Sequence, residues 1–289
     1  MTEHLMCNVC ERPGSLAAAR EVGSVRCNVR AFHDESFTLW RCVNCETLHC
    51  KEGVDLAHYY RGYFAHTYKI DPFLRNVYGN RVRQLRRAGW DAKQATLDYG
   101  CAGGLFVQYL QSLGVDAAGY DPFTPGWDDA ARLERKYDSV VSYDVIEHDE
   151  DPRGWMQRMI KLVKPGGLLL VATPDGARFK VRDQHLPYGH VPYHRHILSQ
   201  QALTGLGRSL GLTPILVEHR DFLSSLRPTF NFRFVCSYID ACGGCSDVVN
   251  DPPQVGVFLK TPRLWFDALF GSLFPHGVNM SVVFRTPAE

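Results

Sequence analysis

Two hydrophobic periods alternate along this chain. Between Asp71 and Gly89, Leu74, Val77/Tyr78, Val82 and Leu85 recur at i, i+3/i+4, the stripe of a helix. Asp71 is its expected N-cap and Pro72 its first helical residue. The other face carries Arg75, Arg81, Arg83, Arg86 and Arg87; it reads as a solvated face, with RNA binding as the alternative. Ala95-Thr96-Leu97 then forms a strand ending at Asp98, followed by Gly100, Gly103, Gly104 and a helix over 105–110. A second strand, 114–121, ends in Asp121, and only 122–136 precede the next, so one short helix at most fits between them. Residues 137–144 read as a buried parallel strand. Asp151-Pro152 starts a helix with Trp155, Met159 and Leu162/Val163 on one face, and Pro165-Gly166-Gly167 turns into a strand over 168–173. Ser199 caps a helix through Leu203, Leu206 and Leu210 that Gly211 ends; strands follow at 213–218 and 279–284. Strands alternating with helices predict an α/β fold with a mostly parallel sheet.

Two regions fall outside that rhythm. Phe37-Thr38-Leu39-Trp40 alternates ahead of Cys42, as a small β ribbon would. Residues 221–276 separate the last two strands; Phe230-Asn231-Phe232-Arg233-Phe234 alternates, and Leu264-Trp265-Phe266, Leu269-Phe270 and Leu273-Phe274 form a dense apolar helix. This insertion is expected to cover the active site. A dimer face is a second reading, and a membrane surface a weaker one, because basic residues are sparse there. Cys236, Cys242 and Cys245 lack a clear fourth ligand and read as free thiols.

Composition narrows the classes. Among 289 residues, 32 Lys plus Arg balance 31 Asp plus Glu, which argues against a dedicated nucleic-acid binder. No apolar run approaches the ~20 residues of a membrane span, and MTEHLMCNVC lacks the regions of a signal peptide. A soluble cytoplasmic protein is expected, in which ten cysteines favour thiols or metal over disulfides.

Cys7-x-x-Cys10 and Cys42-x-x-Cys45 present two thiol pairs. Together they can complete a closed, tetrahedral zinc site that stabilises a segment too small to fold well alone. Two disulfides or unrelated thiols are the competing readings. His49, Cys50 and Cys27 are spare donors, read as plain core or surface residues. The turn at 98–104 suits a ligand approached closely by backbone, but its register is not the G-x-G-x-x-G of a dinucleotide fold.

What stands at 98–104, D-x-G-x-x-G-G, resembles motif I of the class I S-adenosylmethionine-dependent methyltransferases. YDSVVSYDVIEH (137–148) resembles the family's fourth strand with its V-[IL]-E-H ending, and LVKPGGLLLVATPD (162–175) its L-K-P-G-G turn and fifth strand. The resemblance implies a Rossmann-like sheet with an antiparallel last strand and S-adenosyl-L-methionine as cofactor. It implies that Asp98 supports the methionine amino group or orders the loop, that Gly100, Cys101 and Gly103 shape the cradle, that Asp121 with Pro122 holds the ribose, and that Asp144 and Val145 line the crevice. The third strand is expected to be missing or vestigial, and the usual adenine-contacting acid with it; Phe123, Trp127 and Asp128 are nearby candidates.

The front of the chain resembles the zinc-ribbon segment of some bacterial small-molecule methyltransferases: C-x-x-C, then Arg41-Cys42-Val43-Asn44-Cys45, then a tyrosine-rich stretch at 58–64. Glu11 and Glu46 stand where such knuckles usually carry Gly. The implied division is a ribbon at 1–68 and a methyltransferase domain at 69–289. Candidate general bases are His190 and His194 in DQHLPYGHVPYHRH (183–196), then His148, with His185 and His196 in the same cluster; a metal site from these histidines matches no familiar zinc spacing. The expected function is methyl transfer to a small-molecule acceptor, a sugar or natural-product intermediate, in a possible homodimer. The rivals are an RNA or protein methyltransferase docking through the ribbon, a non-catalytic binding protein and, last, a dehydrogenase. Nucleobase amino-methylation lacks its [DN]-P-P-[YFW] signature.

Overall fold

The computed structural model describes residues 3–60, 70–181, 189–219, 228–229, 231–274 and 277–288. The front segment forms an antiparallel ribbon of β1 (Glu21–Arg26), β2 (Ser36–Arg41) and β3 (Leu48–Cys50), then a short helix, α1 (Leu56–Tyr59). In β2, the expected alternation places Phe37 and Leu39 in the ribbon's own core, while Trp40 turns the other way, into the core shared with the main sheet.

Helix α2 (Pro72–Arg87) begins where Asp71 accepts from the Leu74 amide, with Pro72 in its first turn. After it come β4 (Thr96–Tyr99), α3 (Leu105–Ser112), β5 (Ala117–Tyr120), β6 (Tyr137–Tyr143), α4 (Pro152–Leu162) and β7 (Val163–Pro174). They are followed by β8 (His196–Ile197), α5 (Gln200–Ser209), β9 (Thr213–His219), α6 (Phe232–Ala241), α7 (Val255–Lys260), α8 (Pro262–Phe270) and β10 (Asn279–Arg285). The main sheet runs β5-β4-β6-β7-β10-β9. Strands β5, β4, β6 and β7 are parallel, and β10 is antiparallel to both its neighbours.

No strand lies between β5 and β6; the link holds a single 3₁₀ turn, Ala130–Leu133. Trp127 anchors it instead. A Cβ at Gly104 would meet the Trp127 ring at 1.8 Å and one at Gly119 at 2.9 Å, so both glycines leave room for the indole. Arg132 adds a hydrogen bond to the Gly119 carbonyl. The edge of β5 is thus covered by a folded loop in place of a third strand. Strand β7 starts earlier than its sequence suggests. Val163 already pairs with Tyr137, and the Pro165-Gly166-Gly167 turn is an excursion before pairing resumes at Ser139–Leu168.

The ribbon joins the larger α/β part by sheet pairing. Leu48 and His49 of β3 pair with Ile197 and His196 of β8. Two buried arginines bridge the seam. Arg41 bonds Glu21 and the carbonyls of Gly176 and Phe179. Arg195, fully buried, bonds Glu150 and the Glu52 carbonyl. The Ser199 hydroxyl caps α5 by accepting from Ala202 and donates to the Cys45 carbonyl. Cys7, Val9, Trp40, Cys42 and Cys45 share one apolar core with Trp155, Leu198 and Leu203.

Within the insertion, the alternation at 231–234 is not a strand. Asn231 accepts from the Phe234 amide and starts helix α6 there, so a cap overrides the local period; Phe230 lies outside the described residues. Helix α8 packs Leu264 and Ala268 inward, and its buried Asp267 pairs with Arg233 and Ser237 of α6. Trp265, Phe266, Leu269 and Phe270 remain exposed. Among the described residues no helix is long and apolar enough to cross a membrane.

Arg41→Ala leaves the partly buried Glu21 carboxylate and the carbonyls of Glu46, Gly176 and Phe179 without their donor. It should destabilise the protein by roughly 3–5 kcal/mol, the usual effect of breaking a buried ion pair, read as a lower urea midpoint. A midpoint unchanged from wild type would show that the seam carries no stability.

Candidate active site

The loops after β4 and β5 are cross-bonded at the C-terminal edge of the parallel strands, where open α/β sheets hold their ligands. The amides of Gly100 and Cys101 donate to the Tyr120 carbonyl. The Asp121 carboxylate accepts from the Ala102 amide at 2.9 Å and the Phe123 amide at 2.9 Å. Gly100 has φ 79°, and a Cβ there would strike Val145 at 2.3 Å. Gly103, by contrast, faces open space. Ala102 (φ 47°) and Asp144 (φ 56°) also take left-handed conformations, a strain that clusters at functional loops.

A cleft of about 310 Å³ lies over these loops, lined by Asp98, Gly100, Cys101, Ala102, Gly103, Tyr143 and Asp144, with Tyr78 and Arg81 from α2. Arg81 therefore does not belong to a solvated face. Its guanidinium sits 3.8 Å from the centre of the Tyr143 ring and inside the cleft. Asp98 is buried beneath. Burial pushes its carboxyl from 3.8 up to about 7, with Arg81 opposing and Asp121 adding to the rise. The cleft thus offers an acid at one point, a guanidinium at another and backbone free of side chains between them. Those features fit the ammonium, carboxylate and chain of an amino-acid tail. Pro122 follows Asp121, whose carboxylate is committed to ordering the loop; neither is among the residues that line this cleft.

A second group of residues gathers beyond Asp144, at what would be the acceptor end. Glu147 and His148 lie in the 3₁₀ turn after β6. Glu147 is completely buried; Thr173 of β7 donates to its Oε2 at 2.9 Å, and burial with Asp144 nearby pushes its carboxyl well up. His148 Nδ1 lies 2.8 Å from the Tyr60 hydroxyl and 3.1 Å from the Tyr193 carbonyl, and burial lowers its imidazole to about 4. His194 Nε2 is 3.9 Å from Glu147 Oε1. His190 (φ 40°) stacks on Tyr193 and bonds Asn28 Oδ1 through Nδ1 at 2.7 Å; burial lowers it to about 3. Tyr60 also stacks on Phe123, rings 5.7 Å apart. So His148, His190 and His194 do converge. His196 faces His49 in the ribbon seam instead, and His185 lies outside the described residues.

Asn28, Tyr60, Thr173 and Arg81 carried no direct pointer to the site. Arg81 alone left a trace, standing one helical turn from both Tyr78 and Leu85 on the apolar stripe. The others come from distant segments.

The cysteines form a third cluster. Cys7–Cys10 and Cys7–Cys45 sulfurs are 3.7 Å apart and Cys10–Cys42 4.0 Å. A zinc ion with ~2.3 Å bonds to sulfur spaces its ligands about 3.8 Å apart, so the four thiols fit it. Glu46, in place of the usual Gly, takes φ 60°. Arg41 bonding its carbonyl and Arg20 pairing its carboxylate hold it there. Cys27 and Cys50 are core residues.

Residues 83–217 match the model of a family described as a methyltransferase domain. That match, under half of the chain, together with this sheet order and the glycine cradle, marks residues 83–217 as a domain of the S-adenosylmethionine-dependent methyltransferase class. Among curated relatives, a ubiquinone biosynthesis O-methyltransferase of Dinoroseobacter shibae is 26% identical over 180 residues, covering 51% of this chain and 71% of that one. One from Cereibacter sphaeroides is 30% identical over 152 residues, covering 41% and 60%. Among solved structures, the 1,6-didemethyltoxoflavin-N1-methyltransferase of Burkholderia thailandensis aligns at 11% identity and TM-score 0.44, covering 87% of this chain and 96% of that one.

The raised carboxyl of Asp98 has a consequence for stability. Its contribution is complete below the unfolded value near 4 and is lost as pH rises through about 7. Asp98→Asn should therefore raise the melting temperature of the ligand-free protein at pH 8.5, and by clearly less at pH 5.5. An equal gain at both values would contradict the buried, neutral carboxyl.

Proposed function

We propose that the protein transfers a methyl group from S-adenosylmethionine to a hydroxyl of a small, ring-bearing acceptor. The observation that carries this reading is the convergence of His148, His190 and His194 beside the turn that follows Asp144, a residue lining the glycine cradle's cleft. The O-methyltransferase names of the relatives favour oxygen over carbon or nitrogen. The aromatic wall of Tyr60, Phe123 and Tyr193 favours a flat acceptor.

When bound, S-adenosylmethionine supplies an electrophilic methyl on a sulfonium. In this reading Arg81 and Asp98 hold its amino-acid tail. Asp121 and Pro122 hold the ribose side. Gly100, Cys101, Gly103, Asp144 and Val145 shape the cleft around it. Orientation by such a cradle supplies ~7–11 kcal/mol of a barrier. His190 is the base. Asn28 Oδ1 only accepts, so His190 donates through Nδ1 and keeps its lone pair on Nε2. That nitrogen would take the hydroxyl proton, while S-adenosylmethionine, held as above, would supply the methyl to the hydroxyl oxygen and leave as the neutral thioether. His148 and His194 complete the acceptor wall.

The same reading gives Cys7, Cys10, Cys42 and Cys45 a structural zinc. It assigns 1–68 to a ribbon that positions Tyr60 and the 190–199 segment, and 69–289 to the transferase. The 221–276 insertion reaches the acceptor end through Ser246, which Asn28 bonds. A cytoplasmic enzyme fits it, and near-neutral charge continues to disfavour nucleic acid.

The test is a transfer assay with methyl-labelled cofactor and three acceptors: a simple o-diphenol, a nucleotide-linked hexose and a short RNA. Label should enter the o-diphenol. His190→Ala should lower kcat by about 10²–10⁴, the usual worth of a general base, with cofactor affinity kept. Transfer to the sugar or RNA alone would overturn the aromatic-hydroxyl reading.

A further inference from the structure

We infer that Glu147, His148 and His194 form a binding site for a divalent transition-metal cation beside the methyl-transfer cleft. This deepens the proposed function, on which the cation's catalytic role, but not its binding, depends. The ligand atoms of these three residues lie within 4.8 Å of one another. Two imidazoles and one carboxylate are the donor set of open zinc and non-haem iron sites, which leave a position for water or substrate.

A second observation points the same way. Glu147 is 0% exposed, and its Oε1 has no hydrogen-bond partner among the described residues. A buried carboxylate oxygen without a donor is costly. It lies 3.9 Å from His194 Nε2, too far for a hydrogen bond but near the span of two ligands on one ion.

The surroundings orient Glu147 and His148 as metal sites require. Thr173 donates to Glu147 Oε2 and leaves Oε1 for the ion. His148 Nδ1 reaches the Tyr193 carbonyl at 3.1 Å, which directs Nε2 away from it. The Glu147 carbonyl accepts from the Arg195 amide, and the Cys50 amide bonds the Arg195 carbonyl. The ribbon seam therefore fixes the distance between the Glu147 turn and the His194 segment. Glu147 and His148 stand three and four residues after Asp144, which lines the cleft, so in the proposed reaction an ion here would sit on the acceptor side of it. As a Lewis acid it would polarise the acceptor hydroxyl, and the proton would leave to His190 Nε2. The Cys₄ cluster is separate. Its donors are all sulfur, whereas this set is nitrogen and oxygen, so the two sites differ in spectrum.

The experiment uses the full-length protein with zinc already filling the cysteine site. Cobalt(II) is titrated in while visible absorption and bound metal are followed. One further equivalent per chain is expected, with d–d bands and no thiolate charge-transfer band. Glu147→Gln, nearly isosteric, and His194→Ala should each abolish that equivalent while binding S-adenosylhomocysteine as wild type does, which also certifies their fold. Should one variant fail to fold, the other and His148→Ala carry the test. No second equivalent in wild type, or one that survives these substitutions, overturns the site. Cobalt binding in a protein inactive toward every hydroxyl acceptor would uphold the site and remove only its proposed role.

Discussion

The cradle rests on one carboxylate. Asp121 accepts from the amides of Ala102 and Phe123 and so locks the loop after β4 to the loop after β5. Without that tie, Ala102 has no reason to hold a left-handed conformation, and the glycine turn loses the shape that lets backbone approach a ligand. The missing third strand makes the tie more important. In its place Trp127 packs against Gly104 and Gly119, and the Trp127 carbonyl accepts from the Asp121 amide. The shortened link therefore supports the cofactor side of the site.

The acceptor side depends on a different constraint. Its residues come from the ribbon (Asn28, Tyr60), the turn after β6 (Glu147, His148), strand β7 (Thr173) and the segment before β8 (His190, His194). Nothing local holds these together. Pairing of β3 with β8 and the buried Arg41 and Arg195 do. In the proposed reading the ribbon is thus part of the catalytic architecture, and a metal in its knuckle would stabilise the site at a distance.

Strands, helices and motif order were legible because each rests on periodicity and short-range spacing: Asp71-Pro72 and Ser199 cap the helices they announce. The absent third strand was legible from the length of 122–136. The place of Arg81 was not. Its position beside the apolar stripe was only a trace among five arginines on one helix, and the packing of α2 on the sheet is what turns it into the cleft. Asn231 shows the opposite failure, where an alternating run concealed a helix cap. The partners of the histidines were out of reach, since Asn28 is 162 positions from His190 and Tyr60 is 88 from His148. Glu46 is the instructive departure: a residue that weakens the knuckle motif is accommodated at φ 60° by Arg41 and Arg20.

The central claim, a cofactor cradle organised by Asp121, is tested most directly by calorimetric titration with S-adenosylhomocysteine. The account predicts micromolar binding of one ligand per chain, weakened at least tenfold (about 1.4 kcal/mol or more) by Asp121→Ala. No heat and no thermal shift with the wild-type protein, or equal affinity in the variant, would contradict it.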